Sequence, residues 1–222
     1  MRPGRPQLGQ HNRPVSLYSH STQGNVVALA PIYAPFYFAY MLNLDLKGGA
    51  HLRMLDGHEA AALFALTEKN RPHLRQWLPW LDLNTQPEDT QRFVDGARER
   101  YANRESVEAG LFSANQLVGM VSFNTLDWAS RCGVIGYWLD ADSQGQGLVT
   151  RACRALIAHG FDELDLNRIE IRCATGNVRS RAIPERMGFT CEGTLRQVEW
   201  LYDHFEDHAL YALLRTEWNA AR

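Results

Sequence analysis

Gln144-Gly145-Gln146-Gly147 is the segment of this chain whose residue types and position best suit ligand binding. It follows the mostly apolar run Val134-Ile135-Gly136-Tyr137-Trp138-Leu139. It runs into a helical pattern carrying Val149, Cys153, Leu156, Ile157 and Phe161 at three- and four-residue steps. A strand, a glycine loop and a helix N-terminus together present backbone N–H groups to an anion. The glycines remove side chains so that a phosphate can approach, and the helix dipole favours its charge. The chain has no G-x-x-x-x-G-K-[ST] pattern and no third glycine for a dinucleotide fingerprint. The expected ligand therefore bears phosphate but is not a plain nucleotide. Alone, the pair of glycines is equally a tight turn.

Other groups of residues offer weaker chemistry. Arg179, Arg181 and Arg186 fall between Asn177 and Phe189, where they could meet phosphate or simply form a solvated helix face. His204-Phe205-Glu206-Asp207-His208 has metal-like composition, but residues four apart in a strand sit about 13 Å from each other, too far for one ion. No metal is expected. Cys132, Cys153, Cys173 and Cys191 form no C-x-x-C pair and read as reduced, mostly buried thiols of a cytoplasmic protein. Trp77-Leu78-Pro79-Trp80 could pack a helix end, but as a loop it is better placed to wall a binding pocket.

The elements that position these residues can be read from composition and periodicity. The 222 residues carry 23 Lys+Arg and 25 Asp+Glu, for a net charge of −2. Such a balance gives no basic face for nucleic acid. Residues 1–40 read as an extension, either disordered or lying upstream of a natural start at Met41. The apolar run Val26 to Leu42 is broken by Pro31 and Pro35 and is shorter than a membrane span. From 41 to 222 the pattern is one α+β domain. A hairpin covers Asn43–Leu46 and His51–Met54 around Gly48-Gly49. Asp56 caps a helix from about His58, with Ala62, Leu63, Leu66 and Asn70 on its stripe. A second helix starts near Pro87 and carries Phe93, Ala97 and Tyr101 on one stripe. Strands follow at Val107–Phe112, Leu117–Phe123 and Val134–Leu139, the last of the kind buried on both faces. Beyond the glycine loop, a strand covers Arg168–Ala174 and Asn177 caps a short helix that Gly188 ends. A strand then starts at Phe189, and two more cover Thr194–Leu201 and His208–Leu214.

The glycine loop with its strand, together with Asn177…Ser180…Pro184-Glu185-Arg186-Met187-Gly188-Phe189, resembles the GCN5-related N-acetyltransferase (GNAT) superfamily. Asn70-Arg71-Pro72-His73-Leu74-Arg75-Gln76-Trp77-Leu78-Pro79-Trp80 and the ending Leu210–Trp218 narrow the resemblance to the RimJ/RimL-like branch, which acetylates N-termini of ribosomal proteins. The resemblance covers about residues 41–220. It implies a mixed, mostly antiparallel sheet of about seven strands splayed in a V and flanked by about four helices. It further implies acetyl-CoA as co-substrate. The pantetheine arm would pair with the strand ending at Trp138 and Leu139. The pyrophosphate would lie on amides of Gln144, Gly145, Gln146, Gly147 and Leu148, with Val149, Thr150, Asn177, Arg179 and Arg186 nearby.

In the same pattern Glu199 is the base that takes the amine proton, and Ser180 is the acid that protonates the departing CoA thiolate. Trp77, Leu78 and Trp80 would line the acceptor side. Asp142 departs from the pattern, because a carboxylate cannot donate to phosphate. Arg151, a cation one turn into a helix, is expected to compensate by pairing with a CoA phosphate. The acceptor would be a primary amine, foremost a protein N-terminus, with a polyamine, amino acid or antibiotic as the alternative. A non-catalytic acyl-CoA-binding module is the other class. The resemblance also implies a homodimer.

Overall fold

The structure, a computed structural model, describes residues 42–221. The expectations for residues 1–40 lie outside them. In chain order the elements are β1 (Asn43–Asp45), β2 (Ala50–Arg53), α1 (Ala60–Leu74), α2 (Pro87–Ala102), β3 (Val107–Ser113), β4 (Gln116–Asp127), β5 (Cys132–Leu139) and α3 (Leu148–Asp162). They continue with β6 (Arg168–Ala174), α4 (Val178–Arg186), β7 (Thr190–Leu201), β8 (His204–Leu214) and α5 (Arg215–Ala220). The eight strands form one sheet in the order β1-β2-β3-β4-β5-β6-β8-β7. Only β5 and β6 run parallel; the other pairs are antiparallel. None of the described helices is long and apolar enough to cross a membrane.

The core follows the expected patterns closely in the second half of the domain. Val149, Cys153, Leu156, Ile157 and Phe161 are all buried on α3 against Phe123, Ile135, Ile169 and Ile171 of the sheet. A smaller core, Leu55, Ala60, Leu63, Val94, Phe112 and Met120, joins α1 and α2 to the sheet.

The expected mixed, mostly antiparallel sheet is present, with eight strands and five α-helices among the described residues; the six-residue α5 is too short to show a period in the sequence. Several expectations are corrected. A 3-10 turn occupies Gly57–Glu59, so α1 starts at Ala60, and its buried face is Ala60, Leu63, Thr67, Asn70 and Leu74 rather than a stripe through Ala62 and Leu66. On α2 Ala97 and Tyr101 are buried as expected, but Val94 is buried in place of Phe93, which is exposed. Thr190–Leu201 is one strand with register shifts, and β8 begins at His204 because the turn tightens to Tyr202-Asp203. Of the cysteines, only Cys153 and Cys173 are buried; all four are free thiols.

The correction that bears on function concerns β5. Its pairing with β6 ends at Ile135↔Ile171, although both strands continue to Leu139 and Ala174. Gly136 to Leu139 are accordingly half-buried, not enclosed on both faces. The strands part, and the gap is the V.

Candidate active site

Along the V, β5 keeps its partner on one side and offers its backbone on the other. The Asp140 amide donates to the Val118 carbonyl on β4 at 2.7 Å. Because successive strand amides point to opposite edges, those of Tyr137 and Leu139 face the edge that β6 has left. Two properties follow from that edge. An extended chain can add to it like a strand, and an amide there can donate to a developing oxyanion.

The glycine loop stands at the end of this edge. Gly145 and Gly147 adopt φ of +78° and +69°, in the left-handed region, and a side chain on either would project into open space. Leu148 and Val149 are buried and anchor the start of α3, whose first-turn amides have no carbonyl partner within the helix. Asn70 on α1 supports the loop from below. Its Oδ1 accepts from the Ala141 amide and its Nδ2 donates to Asp140 Oδ1, both at 2.9 Å. Lys69 Nζ lies 2.9 Å from Asp140 and 2.7 Å from Asp142. The negative charge of Asp142, adverse to a phosphate, is thus matched by a lysine from another element. Burial opposes the charge of Asp140, but Lys69 and Asn70 outweigh it and hold its carboxyl below the usual range.

On the opposite wall, Asn177 caps α4 by accepting the Ser180 amide at 3.1 Å. Arg179 donates to Gln144 Oε1 at 3.0 Å, and Gln144 Nε2 lies 3.0 Å from His73 Nε2. Arg186 donates to Thr150 Oγ1 at 3.1 Å. Both arginines therefore sit between α4 and the loop. Arg181 points elsewhere, to Tyr211 and the Thr175 carbonyl. Arg151 spends its guanidinium on the carbonyls of Leu46 and Lys47 at 3.4 and 3.0 Å. It lines the cleft but is held by the β1–β2 turn.

These walls enclose a cleft of about 1420 Å³ lined by Trp77, Leu78, residues 137–139, 144–151 and 176–180, Ala182, Ile183 and Arg186. That is ample for a ligand with a long arm and a phosphate head. At its floor, Ser180 Oγ lies 3.2 Å from Cys173 Sγ and 3.2 Å from the Tyr137 hydroxyl. Burial pushes the Tyr137 phenol well above its usual value and also raises the Cys173 thiol, so both keep their protons at neutral pH.

A second cavity of about 550 Å³ opens between α1, α2 and the sheet, and the two meet at Leu78, Tyr137 and Trp138. The loop residues divide accordingly. Trp77 faces the cofactor-sized cleft, Leu78 borders both cavities and Trp80 lines the second. The loop is held in place by Arg71, which donates to the Leu81 carbonyl at 2.6 Å, and by the Tyr202 hydroxyl, which donates to the Leu78 carbonyl at 2.5 Å.

Glu199 stands apart. It lies on β7, half-buried, with Oε2 3.3 Å from His208 Nε2, and lines neither cavity. His204 takes Asp203 and Glu206 as partners, and no three His, Cys, Asp or Glu among the described residues come together as metal ligands. Three residues of the site gave no signal as ligands in the sequence. Asn70 opens the motif quoted above but had no role there, and Lys69 could have been suspected only as a polar residue beside a buried stripe. Glu108, which lines the second cavity, carried no signal.

A V-splayed mixed sheet with a glycine loop at the end of its open strand is the architecture of an acyl-CoA-dependent transferase. The chain belongs to the GNAT acetyltransferase family: the model of the acetyltransferase (GNAT) domain matches residues 50–190. The ribosomal-protein-serine acetyltransferase of Escherichia coli is 36% identical over 150 residues, 68% of this chain and 84% of that protein. Among solved structures, RimL, a ribosomal L7/L12 α-N-protein acetyltransferase in complex with coenzyme A, superimposes with a TM-score of 0.75. It is 31% identical, covering 78% of this chain and 98% of its own. The microcin C7 self-immunity acetyltransferase MccE, in complex with acetyl-CoA and AMP, matches at a TM-score of 0.74 and 28% identity, covering 76% and 94%.

Proposed function

We propose that this acetyltransferase moves the acetyl group of acetyl-CoA onto the N-terminal α-amino group of a protein, foremost a ribosomal protein. The observation that carries this reading is the junction of two cavities at Leu78, Tyr137 and Trp138, with the Ser180 hydroxyl bound to Tyr137. One cavity suits a long phosphate-bearing arm, and the other admits the end of a chain. The names of the relatives above, ribosomal-protein acetyltransferases among them, support the same acceptor class.

In this reading the open edge of β5, with Trp138 and Leu139, holds the pantetheine arm. The amides of Gln144, Gly145, Gln146, Gly147 and Leu148 hold the pyrophosphate, beside Val149, Thr150, Asn177, Arg179 and Arg186. An amide of Tyr137 or Leu139 donates to the carbonyl oxygen as its charge develops. Ser180 Oγ–H gives its proton to the departing sulfur. Glu199 takes the amine proton; because it lines neither cavity, that proton travels through water between them. An α-amino pKa of about 8 makes the transfer a modest task for a carboxylate.

The same reading makes the enzyme cytoplasmic, supported by the exposed free thiol of Cys191, and homodimeric, supported by the exposed Trp200 and Phe205 on the β7–β8 hairpin. Light scattering giving a single 25 kDa species would reject the dimer. The decisive experiment measures CoA release with peptides bearing N-terminal Ser or Ala beside polyamines, amino acids and aminoglycosides. Turnover of the peptides above the small amines supports the reading; turnover of small amines alone overturns it.

A further inference from the structure

The second cavity contains a carboxylate that the reaction above does not use. Glu108 lines it from β3, with only 11% of its side chain exposed. Oε1 accepts from Arg100 Nε and Ser106 Oγ, each at 2.8 Å. Oε2 is buried and has no hydrogen-bond partner. A buried carboxylate oxygen without a donor is costly, and natural folds seldom keep one without a purpose.

The cavity is lined by two acids, Glu108 and Asp89, and by no Lys, Arg or His. Asp89 is already engaged, since it caps α2 through the Thr85 and Gln86 amides and pairs with Arg92. Glu108 is also paired, through Oε1 with Arg100, but its Oε2 has no donor. The sheet register sets Glu108 opposite Ser122, and Ser122 opposite Gly136. All three line the cavity as one row across β3, β4 and β5. At about 4.8 Å per strand, the Glu108 backbone lies roughly 10 Å from that of Gly136, beside the reaction edge. Two strand spacings thus separate the Glu108 backbone from that of β5.

We propose that Glu108 forms a cation subsite for the acceptor. It would take a second ammonium on an acceptor whose reacting amine lies at the β5 edge, two strands from Glu108. The inference rests on the acetyl-transfer reading and adds a selectivity to it. A lysine near the N-terminus of a peptide and the distal amine of a polyamine offer the same chemistry.

The test compares N-terminal Ser peptides carrying lysine or norleucine at positions two and three, with spermidine as a second arm, on the full-length protein. A charged hydrogen bond to a buried carboxylate should lower KM for the lysine peptides by about tenfold, with kcat little changed. Glu108→Gln should remove the preference and leave acetyl-CoA affinity intact, which also shows that the variant is folded. Glu108→Asp, which keeps the charge, should keep part of the preference. A Glu108-dependent gain with spermidine alone would assign the second cation to a polyamine. Equal KM for the two peptides and no Glu108-dependent use of spermidine would overturn the subsite, as would a preference that survives in Glu108→Gln. If wild type acetylates none of these amines, the transfer reading fails separately. Calorimetric titration of the same probes in the presence of CoA then decides the subsite: binding lost in Glu108→Gln upholds it, and no binding overturns it.

Discussion

Ser180 and Tyr137 are tied to each other twice. The Tyr137 hydroxyl donates to the Ser180 carbonyl at 2.9 Å, and Ser180 Oγ donates to the Tyr137 oxygen at 3.2 Å. The tyrosine proton is committed to a backbone carbonyl, so its oxygen can only accept from the serine. The Ser180 hydroxyl thus rests on Tyr137 and Cys173 at the cleft floor, and to serve a sulfur in the cleft its proton must turn from them, while Tyr137 keeps its own proton.

Ser180→Ala should lower kcat with acetyl-CoA affinity unchanged, by less than the 10²–10⁴ expected for a lost general base, since water partly replaces a proton donor. Tyr137→Phe should lower kcat in the same direction and cost about 1 kcal/mol of stability, the usual value of one internal hydrogen bond. Single-turnover rates beside direct acetyl-CoA binding check both.

Glu199→Gln should reduce kcat by about 10²–10⁴ with acetyl-CoA affinity retained. Full activity with a good acceptor would place the base elsewhere, and its distance from both cavities makes this the most informative single variant.

Gly145→Val and Gly147→Val should each weaken acetyl-CoA binding more than changes at nearby surface positions. Both glycines hold positive φ, which costs a β-branched residue upward of about 1–2 kcal/mol, and the new side chain would fill the space that a phosphate needs. Equilibrium binding followed by intrinsic fluorescence measures the loss.

Asp140 gives the protein a predictable acid response. Its folded-state carboxyl titrates below the usual value, so its contribution to stability is complete above about pH 4 and disappears as pH falls through the lower folded value. Thermal melts from pH 6 to pH 2.5 should show wild type losing its advantage over Asp140→Asn below about pH 4. An advantage that persists at the lowest pH would disprove the assignment.

Local periodicity made the second half of the domain readable. The buried face of α3 and the Asn177 cap follow from spacings of three or four residues, β6 from a short run between turn signals, and the structure agrees with each. Contacts between distant segments left no such trace. Lys69 and Asn70 support the loop from about seventy positions away, and Glu108 reaches the acceptor side only because β3 pairs with β4 in one register. The partial exposure of β5 was hidden for another reason. A strand facing a cleft that takes an apolar arm needs the same residues as a strand facing a core.

The parting of β5 and β6 also makes the domain a mechanical object. Four residue pairs, Cys132↔Arg168 to Ile135↔Ile171, are the ladder that joins β1–β5 to β6–β8. A ligand laid along the open edge would bridge the two halves beyond that short seam, so loading the co-substrate and stiffening the sheet become a single event. Amide hydrogen exchange at Tyr137 and Leu139 should slow on CoA binding, and the melting temperature should rise with CoA concentration, as linkage requires.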